Sequence, residues 1–136
     1  MTVPELIKAA IKAREHSYSP YSHFKVGAAL LVKSGKLYTG CNVECAAYSP
    51  TNCAERTAFF KAVSEGEKEF DSIAVVGGYD DKPLELCPPC GVCRQVMAEF
   101  CHPEFFRIIC AKSENDYAVY TLRELLPESF GPSNLK

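Results

Sequence analysis

No stretch of this chain approaches the ~18 consecutive apolar residues that a bilayer-spanning helix needs, so a membrane-spanning reading has no support. Basic runs are missing too: the 15 Lys and Arg residues are scattered among 17 Asp and Glu, for a net charge of −2. Without a basic cluster there is no electrostatic footprint for nucleic acid or an anionic membrane. Residues Met1 to Ala13 are interrupted by Glu5, Lys8 and Lys12, which breaks the apolar core a signal peptide requires. A cytoplasmic location is therefore expected. Internal repeats and low-complexity segments are absent. Histidine is scarce, and His16, His23 and His102 follow no ligand spacing with the cysteines; they read as surface or turn residues.

What remains is an ordinary globular composition, with 47% hydrophobic and 24% charged residues in 136. That length predicts a single domain, residues 1–136, burying roughly two-thirds of the surface its unfolded form exposes. Pro4-Glu5 followed by Leu6, Ile7, Ala10 and Ile11 predicts a first helix to about Glu15. Phe24–Val32 and Leu37–Asn42, joined by Lys33-Ser34-Gly35-Lys36, predict a hairpin. A second helix is expected over Ala54–Ser64, and a buried strand over Ser72–Val76, ended by Gly77-Gly78. Val92, Val96 and Phe100 recur at helical spacing and predict a third helix over Val92–Cys101. Strands follow at Phe105–Ala111 and Tyr117–Tyr120. Thr121 and Glu124 have capping-box spacing and open a short last helix through Leu126. The order α-β-β-α-β-α-β-β-α predicts an α/β layered domain around a mixed sheet of about five strands.

Eight cysteines are the exceptional feature. With no export signal in view, a disulfide framework is disfavoured, because cytosolic thiols are kept reduced. Two blocks suggest metal ligation instead: Asn52-Cys53-Ala54-Glu55-Arg56 and Pro88-Pro89-Cys90-Gly91-Val92-Cys93-Arg94. Cys90 and Cys93 have the i, i+3 spacing that lets two thiolates face one ion, and Cys53 supplies a third. Three sulfurs leave the fourth position of a tetrahedral zinc open, which marks a catalytic rather than a structural site. Cys53 and Cys90 also stand at the starts of predicted helices, whose partial positive charge favours thiolates. Glu55, two residues past Cys53, is placed to move the proton of a zinc-bound water without being a ligand. Three thiolates outweigh the +2 of zinc, so Arg56 is expected to hydrogen-bond a ligating sulfur, with Arg94 the weaker candidate. Cys41, Cys45, Cys101 and Cys110 read as small buried hydrophobes. Cys87 could in principle close a four-sulfur site, but Pro88-Pro89 stiffens the link.

The combination of Cys53-Ala54-Glu55 with Pro89-Cys90-x-x-Cys93 resembles the zinc-dependent nucleoside and base deaminases. Within them the chain is similar to the small cytidine deaminases over nearly its whole length. The likeness extends to Ser19 through Ala29, Asn42-Val43-Glu44, Tyr48, Arg56-Thr57, Gly91-Val92-Cys93-Arg94-Gln95, Glu124-Leu125-Leu126-Pro127 and Phe130-Gly131-Pro132. It implies a three-layer α-β-α fold, Cys53, Cys90 and Cys93 as ligands of one zinc per subunit, and Glu55 as proton shuttle. It implies Asn42 and Glu44 as partners of a sugar 3′-hydroxyl, Phe24 packed on the pyrimidine, and the Ala54 backbone holding the base. It further implies a homotetramer that shares pockets between subunits, with Tyr48 and Phe130 as the borrowed residues. The i, i+2 spacing of Asn42 and Glu44 puts both side chains on one face of an extended segment, where amide and carboxylate can satisfy a hydroxyl. Cys45 and Pro88 depart from the family pattern, which commonly has Asn and Ser there, and both border the expected pocket.

The expected reaction is hydrolytic deamination of cytidine and 2′-deoxycytidine to the uridines with release of ammonia, as in pyrimidine salvage. Two alternatives are a deaminase of another cytosine nucleoside, such as an aminoacylnucleoside antibiotic, and a zinc-ribbon interaction module. The latter predicts a fourth sulfur on the metal and little cavity.

Overall fold

The computed structural model describes residues 1–135. Helix α1 (Val3–Arg14) opens on a Thr2–Glu5 capping box, which satisfies two of the free N–H groups at its start. Strands β1 (Phe24–Val32) and β2 (Leu37–Cys41) form the expected hairpin. Helix α2 (Ala54–Ser64), strand β3 (Phe70–Tyr79) and helix α3 (Gly91–Phe100) follow. Strands β4 (Arg107–Ser113) and β5 (Asp116–Thr121) lead into the short α4 (Leu122–Leu125), capped by Thr121 and Glu124 as their spacing predicts. A 3₁₀ turn over Pro132–Leu135 ends the described chain.

The sheet order is β2-β1-β3-β4-β5. Only β3 and β4 run parallel, joined through α3, so the sheet is mixed as expected. Alternate residues of the strands feed two cores. Ala29, Ala74, Val76, Ile109 and Ala111 meet Leu6, Ile7 and Ala10 of α1 on one face. Ala28, Leu30, Ile73, Val75 and Ile108 meet Ala58, Phe59, Ala62 and Met97 of α2 and α3 on the other. Helices therefore cover both faces, giving the three-layer α-β-α arrangement.

Two glycines set how closely these layers approach. A Cβ at Gly27 would overlap the Ala10 carbonyl and lie 2.6 Å from Arg14 N, so α1 rests directly on β1. On the opposite face, a Cβ at Gly40 would lie 2.5 Å from the Ala54 carbonyl oxygen and 2.7 Å from Ala58 N. The first turn of α2 is thus seated on β2 backbone to backbone. Gly40→Ala is expected to destabilise the fold by roughly 1–3 kcal/mol, the usual cost of overpacking. Urea unfolding with an unchanged m-value would report it.

Two expectations are corrected. β3 does not stop at Val76 but continues through Gly77-Gly78 to Tyr79. The glycines are there for space: a Cβ at Gly77 would come within 2.9 Å of both Cys87 Sγ and Phe24 Cε2. On α3, Cys93, Met97 and Ala98 are buried and Val96 and Phe100 pack against the same core, while Val92 is exposed. Arg94 reaches no sulfur. Its Nε donates to the Pro89 carbonyl at 2.7 Å and its Nη1 to the Leu125 carbonyl at 2.6 Å, tying the Cys90 loop to α4. Other boundaries differ from expectation by one or two residues, as helix and strand ends do. Among the described residues no helix is long and apolar enough to cross a membrane.

Candidate active site

Register places the beginning of β1 and the ends of β2 and β3 at one end of the sheet, with Phe24 opposite Tyr79 and Gly27 opposite Cys41. The chains leaving β2 and β3 at that end lead into α2 and α3. Both helix starts therefore converge outside the carboxyl ends of two strands, a usual position for a binding crevice in an α/β sheet.

Cys53 is the N-cap of α2 and Cys90 the N-cap of α3. Cys90 Sγ lies 3.6 Å from Cys53 Sγ and 3.5 Å from Cys93 Sγ. Sulfurs bound tetrahedrally at 2.3 Å from zinc would be about 3.8 Å apart, so this donor set matches the metal in chemistry and in spacing. Among the described residues the cluster is these three cysteines and no fourth His, Cys, Asp or Glu. Cys87 stays out of it, against Gly77 and Phe24, where burial pushes its thiol up to about 12.

Charge at the cluster is unevenly held. The Cys53 thiol is held far below its ordinary value, chiefly by the neighbouring Cys93 sulfur with Arg56 assisting, whereas that of Cys93 is raised by Cys53 and by burial. Arg56 Nη2 donates to Cys53 Sγ at 3.2 Å, as the charge argument predicts. Desolvation opposes its charge, but hydrogen bonds to the Cys53 and Cys93 sulfurs outweigh it and hold the guanidinium as a cation. Its Nε is buried without a partner, a cost that attraction to the sulfurs offsets.

Glu55 is 4% exposed on the first turn of α2. Burial raises its carboxyl to about 7, against the smaller opposing pull of its own backbone N–H. It lines a hollow of about 340 Å³ together with Phe24, Asn42, Glu44, Cys53, Ala54 and Cys90. Seven expected site residues thus share one cavity, and the buried Cys93 closes the metal cluster behind it. A larger hollow of about 730 Å³, between the end of α3 and residues 126–133, contains none of the expected site residues. Chemistry, not size, selects the smaller one.

Tyr48 lies outside the cavity, in an adjoining depression with Tyr21, Ser22, Glu44 and Thr51. Its φ of +61° turns the side chain outward, where it is 73% exposed and meets the Tyr21 ring edge-on. Phe130 is 58% exposed and does not line the cavity; its carbonyl is engaged by Gln95 Nε2 at 2.7 Å. Neither is part of the cavity within this chain.

Sequence reasoning missed several lining residues. Ser22, Val26, Thr51 and Asn52 were given no role, and Pro88 was noted only as a departure, yet all border the hollow. Ser22 stands inside the matched segment Ser19–Ala29, so a signal was present but carried no residue role. Cys45, the other departure, is held through its N–H by Thr51 Oγ1 at 2.9 Å and does not line the cavity.

A family profile described as the cytidine and deoxycytidylate deaminase zinc-binding region matches residues 2–109. A cytidine deaminase of Sporosarcina psychrophila is 49% identical, over 99% of this chain and 96% of that one. One of Halalkalibacterium halodurans is 52% identical, over 92% of this chain and 91% of that one. Among solved structures, the cytidine deaminase of Burkholderia pseudomallei superposes with a TM-score of 0.86 at 47% identity. That match covers 96% of this chain and all of the other, 100%.

Proposed function

The chain belongs to the cytidine and deoxycytidylate deaminase family, and from that premise we propose how its residues carry out the hydrolytic deamination of cytidine and 2′-deoxycytidine. The observation that carries the reading is the convergence of three sulfurs, a buried glutamate and the Asn42–Glu44 pair on one cavity. Cys53, Cys90 and Cys93 would hold one zinc per subunit, and Arg56 offsets the excess negative charge of three thiolates. When bound there, zinc supplies a Lewis acid that makes water at its open position more acidic.

Glu55 does the proton work. Its carboxylate takes a proton from the attacking water and delivers one to N3 of the cytosine as the new C–O bond forms at C4. It then takes the remaining proton from the new C4 hydroxyl and passes it to the amino group, so that the C4–N bond breaks as the C4 carbonyl forms, and ammonia leaves with uridine formed. Burial keeps bulk water from supplying or draining protons at this carboxyl. Phe24, held edge-on by Tyr79 at 4.9 Å between centroids, offers a ring to the pyrimidine. The Ala54 backbone lies beside the base, and Asn42 and Glu44 take the sugar 3′-hydroxyl.

Nucleotides are disfavoured because the cavity lining holds Glu44 and Glu55 but no lysine or arginine. The chain would act as one deaminase domain over residues 1–136, in the cytoplasm, in pyrimidine salvage. A homotetramer is supported by the aromatic side chains of Tyr48 and Phe130, exposed on this chain and available to complete a neighbour's pocket. The test is an ultraviolet assay with cytidine, 2′-deoxycytidine, CMP and free cytosine side by side. Absorbance loss with the two nucleosides alone is expected; turnover confined to CMP or cytosine would overturn the substrate assignment.

A further inference from the structure

The sugar-binding pair is already partly saturated by the loop that precedes β1. Asn42 Oδ1 accepts from Val26 N at 2.9 Å and from the Ser17 hydroxyl, while Asn42 Nδ2 donates to the Phe24 carbonyl at 2.8 Å. An amide oxygen has two lone pairs and an amide nitrogen two hydrogens. Asn42 is therefore left with one donor hydrogen and no acceptor. The backbone donor at Val26 and the backbone acceptor at Phe24 also forbid flipping the amide.

Glu44 is constrained in the complementary sense. Its Oε1 accepts from Tyr21 N and Ser22 N, each at 3.1 Å, and its Oε2 accepts from the Ser22 hydroxyl. The Ser22 oxygen also accepts from Phe24 N at 3.0 Å while its hydrogen goes to the carboxylate. One lone pair of Oε2 remains. The loop is secured on both sides of the pair, by Tyr18 N donating to the Asn42 carbonyl at 3.0 Å and Glu44 N to the Tyr18 carbonyl at 2.8 Å. Together the pair offers one donor and one acceptor, the complement of a single hydroxyl.

We propose that Ser17 and Ser22 are positioning residues that hold Asn42 and Glu44 in the orientation in which the sugar hydroxyl donates to Glu44 Oε2 and accepts from Asn42 Nδ2. The proposal rests on the assignment of Asn42 and Glu44 to the sugar. Ser22 also joins the sugar site to the base site, because the same hydroxyl that holds Glu44 fixes the N–H of Phe24. A group at this position that only accepts leaves the remaining Glu44 lone pair without a donor once the sugar covers it, and is disfavoured.

The experiment compares 2′-deoxycytidine with 2′,3′-dideoxycytidine and 3′-fluoro-2′,3′-dideoxycytidine, using wild type, Ser22→Ala and Ser22→Thr. Wild type is expected to prefer the 3′-hydroxyl substrate in kcat/KM and to treat the fluoro compound like the dideoxy one. Ser22→Ala is expected to shrink the hydroxyl preference about tenfold, the size of one hydrogen bond to a charged group. Ser22→Thr, which keeps the hydroxyl, is expected to restore it. An equal loss on hydroxyl and dideoxy substrates would make Ser22 merely structural and overturn its positioning role. A fluoro substrate used as well as the hydroxyl one by wild type would overturn the direction, and that comparison needs no variant to fold. Failure of the deaminase reading itself would look different: wild type would turn over none of the three.

Discussion

Glu55→Gln is expected to lower kcat by roughly 10³–10⁴-fold, near the upper end for a general acid–base residue, because this one side chain both accepts and returns protons. Gln keeps the size and can donate or accept a hydrogen bond, but it cannot carry the transferred proton. Zinc content should stay at the wild-type level, since the three sulfurs form the cluster without the carboxylate. Stability should not fall either. Glu55 is 4% exposed, and a neutral amide removes the cost of desolvating a charge there. The checks are steady-state kinetics, zinc by atomic absorption, and thermal melting on one preparation. Near-normal turnover would remove Glu55 from its role. Lost activity together with lost zinc would instead make it a contributor to the metal site.

Cys53→Ala is expected to give the second largest effect, losing both metal and activity. Two sulfurs on α3 would remain, and Arg56 would lose the sulfur it now contacts at 3.2 Å. Two thiolates supply a much weaker site than three, so zinc should fall below about a tenth of an equivalent after dialysis against a mild chelator. Wild-type protein stripped by a strong chelator should melt roughly 15 °C lower, because a ligand present at ~1,000 times its Kd contributes about 4 kcal/mol. Adding zinc back should restore both melting point and turnover for wild type and neither for the variant. Retention of a full equivalent of zinc by Cys53→Ala would show that the ligand set is drawn wrongly.

The sequence made the metal site legible because its information is local. Cys90-x-x-Cys93 at a helix start brings two sulfurs together through the geometry of one turn, and Cys53-x-Glu55 does the same for ligand and base. The hairpin and the capped α4 were legible for similar reasons, each depending on a few adjacent residues. The extension of β3 was not. Gly77-Gly78 looks like a strand end in isolation, and only the neighbours Cys87 and Phe24 show why glycine stands within a paired strand. Arg94, adjacent to Cys93, was a fair candidate for a sulfur contact, but its side chain is drawn away by carbonyls of Pro89 and Leu125.

By itself, then, the sequence determined the chemical inventory: three thiolates and a carboxylate at two helix starts, and an amide and a carboxylate alternating on an extended segment. Those relations follow from helical and strand periodicity, which acts over a few residues and needs no partner. Tertiary structure alone decided that the two groups open onto one cavity, because convergence depends on how β2 and β3 pair with β1 and how Gly40 lets α2 sit on the sheet. It also decided the direction of the sugar site's hydrogen bonds. Ser17 and Ser22 lie 25 and 22 residues from the side chains they saturate, and such pairing comes from packing across the fold, to which local spacing is blind.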